Sequence, residues 1–315
     1  MTAPATARGA GDAIRVVDLH KRYGETRAVD GISFEVHAGE VFGLLGPNGA
    51  GKTTTVEILE GLRAADSGEA IVLGIDASRA PETLKPRIGV ALQTASLYPK
   101  LTVVEILDLF RSFYGRHGTS TADLIERFDL GEKRQSRTQE LSGGQRQRLA
   151  VALALVNDPE VVFLDEPTTG LDPAARRSLW EVVLDLKRQG RTILITTHYM
   201  EEAEILCDRL AIMDHGRILE AGTVKELVGR HFRERAVRFD AIDTLGDEAL
   251  ARIAGVASVA HENGEIVLYT ADVPRTIEGL LGAAEAAGVE PENLTIRRPT
   301  LEDVFLALTG RALRD

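Results

Sequence analysis

Gly46-Pro47-Asn48-Gly49-Ala50-Gly51-Lys52-Thr53 is a glycine-rich loop that follows an apolar run at 41–45 and precedes a helical pattern. This spacing between a strand and a helix is typical of a phosphate-binding loop. Its glycines let backbone N–H groups turn toward phosphate oxygens, Lys52 can reach the β- and γ-phosphates, and the Thr53 hydroxyl can ligate Mg²⁺. The loop alone fits kinases, GTPases and other nucleotide hydrolases equally well, so it predicts a nucleotide site without choosing among these classes.

A pair of carboxylates at the end of another apolar strand extends this site. The run 161–164 is continuously apolar, as expected at the buried centre of a parallel sheet, and it leads directly into Asp165 and Glu166. Asp165 suits a water-mediated contact to Mg²⁺, and Glu166 is placed to orient or deprotonate an attacking water. A solvated acidic strand end is the alternative explanation, and the phosphate-binding loop in the same chain argues against it.

A second phosphate-binding element follows later in the chain, Leu141-Ser142-Gly143-Gly144-Gln145. Ser142 and Gln145 suit a capping box at the start of a helix. A helix N-terminus flanked by glycine also exposes N–H groups and the positive end of the helix dipole, so it is an anion site. A protein that held one nucleotide by itself would need the first loop alone. We infer that the second element binds the same nucleotide from the opposite side and comes from a second copy of the chain.

Two further positions carry weaker signals. Asp172 followed by Pro173 is typical of a helix N-cap with proline at the first helical position. His198 follows the strand predicted at 192–196, where a side chain at the carboxyl edge of a sheet can face a bound phosphate. An ordinary structural histidine is the alternative, and the other histidines show no spacing of metal ligands.

Composition narrows the class of protein. The chain has 315 residues, 44% of them hydrophobic, which predicts a globular protein of two domains. The longest apolar stretch, 149–156, is much shorter than the roughly 20 residues of a membrane-spanning helix, so we expect a cytosolic or peripheral protein. The net charge of −11 argues against a protein that wraps nucleic acid. Cys207 is the one cysteine, which excludes an internal disulfide and a multi-cysteine zinc site.

The chain divides by pattern into a short tail at 1–12, an α/β domain at 13–228 and a smaller domain at 229–315. The tail is rich in Ala, Thr and Gly and is expected to be mobile. The α/β domain carries short β-like runs followed by a helical insertion. The β-like runs are 14–19, 32–36, 41–45 and 88–92, and the helical patterns are 103–114, 121–128 and 144–156.

The last part of the chain has a different pattern. Its elements follow the order β-α-β-β-α-β, at 236–239, 245–254, 256–261, 265–269, 274–287 and 294–297. This order matches the split β-α-β unit of a small ferredoxin-like α+β domain. A last helix is expected between Thr300, as its N-cap, and Gly310, where it stops.

The assembly of motifs between about residues 14 and 225 resembles the nucleotide-binding subunit of an ATP-binding cassette (ABC) transporter, a P-loop NTPase fold with a helical subdomain. By that resemblance, the Walker A loop extends through Thr54 and the segment Leu141-Ser142-Gly143-Gly144-Gln145 is the family signature. The resemblance also implies individual roles: Tyr23, in a polar loop after the first strand, stacks on adenine; Gln93 contacts Mg²⁺ and the attacking water; Glu166 is catalytic; Asp172 lies in the D-loop; and His198 is the switch histidine.

The C-terminal domain is similar to the accessory domain of the daunorubicin/doxorubicin-resistance type of exporter ATPase, most clearly over LEDVFLALTG at 301–310. Its last helix is expected either to stabilise the domain through its apolar stripe or to act as a dimer contact or regulatory element. Both explanations stay open at this point.

The resemblance implies an ATPase that powers a membrane exporter of a drug, antibiotic or lipid-like substrate. Its ligands would be ATP and Mg²⁺, and its partners a second copy, in a head-to-tail dimer bridged by ATP, and a separate transmembrane permease at the cytoplasmic face of the membrane. The permease is expected to contact the region of Gln93 and 94–103. No nucleic-acid partner is expected.

The alternative is a soluble ABC ATPase without a transport role, such as a DNA-repair or ribosome-associated factor. Chromosome-type relatives insert a long coiled coil between the two phosphate elements, and the spacing here leaves no room for one. Ribosome-associated relatives normally carry two cassettes in one chain, whereas this chain has one. The acidic net charge weighs against both.

Overall fold

The computed structural model describes residues 11–92, 97–115, 118–242, 245–262 and 264–310. They form two compact units, of which the first ends at Thr223 and the second begins at Val224. Within these ranges, no helix combines the length and the apolar character needed to cross a bilayer.

Strands and helices alternate in the first unit. Its strands are β1 Asp12–Tyr23, β2 Thr26–His37, β3 Val41–Leu45, β4 Ser67–Val72, β5 Ile75–Asp76, β6 Ile88–Ala91, β7 Val161–Asp165, β8 Thr192–Thr197, β9 Arg209–Asp214 and β10 Arg217–Gly222. Its α-helices are α1 Lys52–Leu59, α2 Pro81–Leu84, α3 Val103–Phe113, α4 Thr121–Arg127, α5 Gly143–Ala154, α6 Pro173–Arg188 and α7 Met200–Leu206.

A largely parallel sheet forms the centre of this unit, in the order β10-β9-β3-β8-β7-β6 with only β10 antiparallel to its neighbour. Every residue of β3, β7 and β8 is buried, as expected for apolar strands covered on both faces. The carboxyl ends of these three strands meet at one edge, with Leu45 opposite Thr197 and Asp165 opposite Thr196. This edge therefore gathers the loops that follow β3, β7 and β8.

A second, antiparallel sheet has the order β2-β1-β4-β5. Its buried Ile14, Val16 and Leu19 belong to the same core as β3 residues Phe42 and Leu44. The β1–β2 hairpin is longer than predicted. Tyr23 is the last residue of β1 and pairs with Thr26, so the prediction of a polar loop at this position was wrong. The polar residues before Tyr23 are held by strand pairing, which hydropathy does not reveal.

The helical subdomain contains α3, α4 and the amino-terminal end of α5, close to the predicted bounds. Its helices begin where side chains satisfy free backbone N–H groups: Thr102 and Glu105 form a capping box on α3, and Ser142 and Gln145 form one on α5. A core of buried apolar side chains that includes Ile106, Leu107 and Leu149 stabilises these helices.

The second unit has the predicted β-α-β-β-α-β order after a leading helix. Its elements are α8 Val224–His231, β11 Arg235–Asp240, α9 Asp247–Ala251, β12 Val256–Glu262, β13 Glu265–Thr270, α10 Val273–Ala287, β14 Thr295–Arg297 and α11 Leu301–Thr309. Its sheet has the order β12-β13-β11-β14 with all neighbours antiparallel, which leaves β13 between β11 and β12. This is the split β-α-β arrangement of a ferredoxin-like domain.

The ends of the elements in this unit differ slightly from the predicted ends. Helix α9 is shorter than predicted because Gly246 occupies its N-cap and the chain leaves the helix at Arg252, in a turn that ends at Gly255 with φ +98°. Helix α11 follows the prediction: Thr300 and Asp303 form its capping box, and Gly310 ends it in a left-handed conformation at φ +67°.

Candidate functional site

The phosphate-binding loop lies between β3 and α1, as the sequence predicts. Two of its glycines have no room for a side chain: a Cβ on Gly46 would lie 2.2 Å from the Met213 carbonyl oxygen, and one on Gly51 would lie 2.2 Å from that of Ala28. Gly51 also has φ +103°, which only glycine adopts readily. Steric constraint therefore fixes the loop before any ligand is considered. Pro47, Asn48, Gly49 and Ala50 form its turn, and Thr54 lies in the first turn of α1.

The Lys52 side chain folds back onto this loop. Its Nζ donates hydrogen bonds to the carbonyl oxygens of Gly46, at 2.7 Å, and Pro47, at 3.2 Å. The same ammonium lies 3.2 Å from Oε1 of Glu166, and both side chains are buried. Burial lowers the pKa of Lys52, although the Glu166 and Asp165 carboxylates oppose this change.

Glu166 stands between Lys52 and His198. Its Oε2 lies 3.2 Å from Nδ1 of His198 and accepts a hydrogen bond from the Thr169 hydroxyl at 3.3 Å. Burial by itself would raise the pKa of Glu166, but the charges of Lys52 and His198 outweigh it and hold the pKa below its ordinary value. The backbone of Glu166 has φ +45°, a strained conformation of the kind that clusters at functional sites.

Asp165 accepts hydrogen bonds from two hydroxyl groups. Thr53 Oγ1 lies 3.1 Å from Oδ2, and Thr196 Oγ1 lies 2.5 Å from Oδ1. Burial raises the pKa of Asp165, and these two hydrogen bonds offset the effect only in part. Thr53 and Asp165 thus present adjacent oxygen atoms, and oxygen is the type of ligand atom that Mg²⁺ prefers.

The predicted signature segment is held at the N-terminus of α5. Ser142 Oγ accepts from the Gln145 backbone N–H at 3.2 Å, and Gln145 Oε1 accepts from the Ser142 backbone N–H at 3.0 Å. A Cβ on Gly144 would lie 3.0 Å from Cβ of Ala175, so packing favours glycine there. At Gly143 a Cβ would meet no atom within 4 Å.

Asp172 caps α6 as predicted. Its Oδ1 accepts from the backbone N–H groups of Ala174, at 2.9 Å, and Ala175, at 3.0 Å. These backbone hydrogen bonds lower the pKa of Asp172. Any contact of Asp172 with a second copy of the chain stays a prediction.

Tyr23 is 40% exposed, with cationic groups over its ring. The Arg63 guanidinium carbon lies 5.2 Å and Lys21 Nζ 5.7 Å from the ring centroid. The ring is therefore accessible and sits in a positive environment that suits a nucleotide. Gln93, predicted to contact Mg²⁺ and water, lies outside the described residues.

Sequence reasoning missed two residues at this site. Thr196 binds the Asp165 carboxylate and also accepts from the Glu166 backbone N–H at 2.9 Å. Glu60, at the end of α1, is 1% exposed, and neither of its carboxyl oxygens has a hydrogen-bond partner among the described residues. A threonine in an apolar strand gives no signal until the strand register is known, and nothing near Glu60 in the sequence predicts its burial.

Two family profiles match the chain. The ABC transporter profile matches residues 29–169. The profile described as ATP-binding protein DrrA1-3-like, C-terminal domain, matches residues 222–309.

Relatives whose names state a transport or resistance role match nearly the whole chain. The Nod factor export ATP-binding protein I of Ralstonia nicotianae is 40% identical over 99% of this chain and 98% of its own length. The daunorubicin resistance ATP-binding protein DrrA3 of Streptomyces coeruleorubidus is 40% identical over 95% and 96%, respectively. The linearmycin resistance ATP-binding protein LnrL of Bacillus subtilis is 36% identical over 96% and 100%.

Solved structures align with a part of the chain that is about as long as the first unit. The ATP-binding subunit of an ABC transporter aligns with a TM-score of 0.63 and 31% identity, over 69% of this chain and 92% of that one. The ADP conformation of another ATP-binding cassette aligns with a TM-score of 0.61 and 28% identity, over 69% and 92%.

Proposed function

Since the chain belongs to the ABC transporter family and is an ATP-binding and ATP-hydrolysing subunit of such a transporter, we propose that two copies of it, bridged by ATP, power a membrane exporter. The exported substrate would be a drug, an antibiotic or a lipid-like molecule. The relatives named for Nod factor export and for daunorubicin and linearmycin resistance support this class. Their names also favour a transporter over a soluble DNA-repair or ribosome-associated ATPase.

The observation that carries the proposal is the surroundings of Gly143. Neither packing nor a left-handed backbone requires glycine at this position, because a Cβ would meet no atom within 4 Å and φ is not positive. Glycine is nevertheless the first residue of α5, where free N–H groups and the helix dipole favour an anion. Close approach of a phosphate held by another copy of the chain explains a bare backbone here.

The chemistry at the strand edge follows from the groups around Glu166. Its lowered pKa keeps the carboxylate ionised at neutral pH, so it can accept a hydrogen bond from the attacking water and orient it. A triphosphate would compete with Glu166 for Lys52. Loss of the Lys52 contact would remove the main charge that lowers the Glu166 pKa and make the carboxylate a stronger base. His198 would stay beside Glu166 and hold its orientation.

We assign the binding of Mg²⁺ to Thr53 and Asp165, the adjacent oxygen donors described above. Magnesium commonly binds one or two protein oxygens together with water and substrate phosphates, so this small donor set fits. When bound, it would neutralise charge on the β- and γ-phosphate oxygens. Among the described residues, no group of three or more His, Cys, Asp or Glu side chains is placed to hold a metal ion.

ATP could control the association of two copies through a modest number of contacts. Charge-assisted hydrogen bonds contribute on the order of 1.5–3 kcal/mol each. Several of them on each of two nucleotides would supply the roughly 5.5 kcal/mol that takes an equilibrium from 1:99 to 99:1. Hydrolysis would remove the bridging phosphate and release the pair. Such a cycle at the cytoplasmic face of the membrane would drive a separate permease, which we expect to bind near Leu97 and Tyr98.

A substitution at Gly143 tests this proposal. Gly143→Asp should fold normally, because the side chain has space and a carboxylate is favourable in the first turn of a helix. It should still bind ATP as a monomer but fail to dimerise, because the new charge would repel the incoming phosphate. The molar mass of this variant, combined with Glu166→Gln to block hydrolysis, is measured by light scattering after size exclusion in the presence of ATP and Mg²⁺.

Gly131→Asp is the matched control, since a Cβ there also meets no atom within 4 Å. It should dimerise like the parent protein. An ATP-dependent dimer of the Gly143→Asp variant, or full ATPase activity with this substitution alone, would contradict the shared site.

A further inference from the structure

The sheet of the second unit has one face that α9 and α10 do not cover. Val237, Phe239, Ile266 and Leu268 point to the other face and form a core with residues of α9 and α10. Side chains alternate along a strand, so the residues between these point away from that core. The strand register places them in a row across all four strands, Ser258, Tyr269, Ala236 and Arg297.

A cavity of about 600 Å³ lies over this row. The neighbouring Arg238 and Val267 extend its floor, and its walls come from the end of α8, the connection at 232–234 and the start of α11. Ala236 is the smallest side chain of the central strand in this region and stands between Tyr269 and Arg297, so the floor is lowest there. The volume falls within the roughly 300–1,000 Å³ that is typical of sites for drug-sized ligands.

The lining combines positive charge with apolar surface. It contains four guanidinium groups and two carboxylates, and the four arginines are Arg230, Arg233, Arg238 and Arg297. Arg297 lies 3.2 Å from Asp303, and Arg238 Nε lies 3.2 Å from Glu265. Apolar surface comes from Phe232, Val267 and the ring of Tyr269.

We propose that this cavity binds a small amphipathic anion, with a phosphate or carboxylate group held by the arginines and an apolar body against Phe232, Val267 and Tyr269. Planar guanidinium groups suit the paired oxygens of such anions. The apolar residues would contribute the larger part of the contact area. All of its lining residues belong to the second unit, whereas the residues of the proposed ATP site belong to the first.

Calorimetric titration of the full chain with octyl phosphate, below its micelle concentration, tests the site. One equivalent should bind, and raised salt should weaken binding. The neutral analogue 1-octanol should bind at least about tenfold more weakly, because it lacks the charge-assisted hydrogen bonds. Equal binding of octanol, or no binding of octyl phosphate together with no binding to anionic lipid vesicles, would overturn the proposal.

Two substitutions locate the site. Ala236→Leu should fill the cavity floor, and Arg233→Gln should remove a charge from an exposed side chain. Each should weaken octyl phosphate binding about tenfold. Arg275→Gln makes the same charge change outside the lining and should have no effect. Wild-type affinity in both cavity variants would overturn the proposal, and cooperative thermal unfolding of each variant checks that it is folded.

Vesicles distinguish a free ligand from a lipid headgroup. Co-sedimentation with phosphatidylglycerol vesicles but not with phosphatidylcholine vesicles, lost in Arg233→Gln and Ala236→Leu, would identify an anionic lipid. Binding of soluble octyl phosphate without vesicle binding would identify a free small molecule. Either result supports the amphipathic anion, and vesicle binding that both variants retain counts against the site.

Discussion

At the residue scale, the proposed chemistry centres on Glu166, which lies 3.2 Å from both the Lys52 ammonium and His198 Nδ1. The carboxylate is buried and ionised, and its strained backbone is fixed by hydrogen bonds to Thr196. A neutral side chain of the same shape should keep this geometry, because its amide oxygen can still face Lys52. Charge and position at Glu166 can therefore be separated by experiment.

We predict that Glu166→Gln slows ATP hydrolysis by at least about 100-fold, the usual contribution of a positioned acid–base group, while ATP binding stays intact. Because the proposed bridge is then not broken, the variant should accumulate as a dimer with ATP and Mg²⁺. Steady-state phosphate release and analytical ultracentrifugation measure the two effects. Wild-type turnover would show that Glu166 does not act on the attacking water.

Glu60 makes stability depend on pH. Burial, together with the charges of Asp165 and Glu57, raises the pKa of Glu60 from 4.5 to about 8. The folded protein therefore binds this proton more tightly than the unfolded chain does. The contribution of Glu60 to the free energy of unfolding is complete below about pH 4.5 and is lost as the pH rises toward about 8.

We predict that Glu60→Gln removes this loss and raises the free energy of unfolding at pH 8 by on the order of 2–4 kcal/mol. Urea unfolding at several pH values between 5 and 9 checks the slope, with the exposed Glu132→Gln as control. An unchanged pH dependence in Glu60→Gln would mean that Glu60 is not buried as a neutral acid.

At the scale of elements, the starts of capped helices were easier to predict than the extent of the β1–β2 hairpin. Ser142 with Gln145, and Thr300 with Asp303, cap their helices through residues three positions apart, so the local sequence contains the whole signal. The hairpin that takes β1 to Tyr23 is held by pairing with β2. That partner cannot be inferred from the residues of β1.

The contact between β3 and the end of α7 gives a test of packing. Burial raises the pKa of the Cys207 thiol, which therefore acts as a small apolar group beside Gly43. A Cβ on Gly43 would lie 2.7 Å from Cys207 Sγ. We predict that Gly43→Ala destabilises the protein by about 1–3 kcal/mol and that adding Cys207→Ala restores part of this loss.

Denaturant unfolding of both single variants and the double variant completes this cycle. Strictly additive effects would show that the cost at Gly43 arises elsewhere, for instance against Leu210, whose Cβ would lie 3.2 Å from the new atom.

At the scale of the whole molecule, each unit contains a core of its own. The parallel sheet of the first unit lies between two clusters of buried apolar residues, and the sheet and helices of the second unit enclose a third. The predicted domain boundary, between 228 and 229, falls inside α8, whereas the compact units divide before that helix.

We predict that a chain ending at Thr223 folds and binds ATP with nearly the affinity of the full chain. A chain ending at Val228 should be less soluble, because it keeps half of α8 and exposes Leu227, which is fully buried in the intact protein. Calorimetric titration with ATP and cooperative thermal unfolding compare the two. Loss of ATP binding in the shorter chain would show that the first unit depends on the second.

The sequence by itself determined the phosphate-binding loop, the Asp165-Glu166 pair, the start of α5 at Ser142 and the α/β and ferredoxin-like classes. Each of these needs particular residue types at short, fixed spacings, and local sterics and hydrogen bonds are enough to specify them.

Only the tertiary structure decided that Thr196 lies against Asp165, that Lys52 pairs with Glu166, that Glu60 is buried with no hydrogen-bond partner among the described residues, and that arginines from separate strands share one cavity. These relations join residues far apart in the chain through strand register and sheet order. Burial then changes their pKa values, because the energy of a charge depends on the whole fold around it and not on its neighbours in sequence.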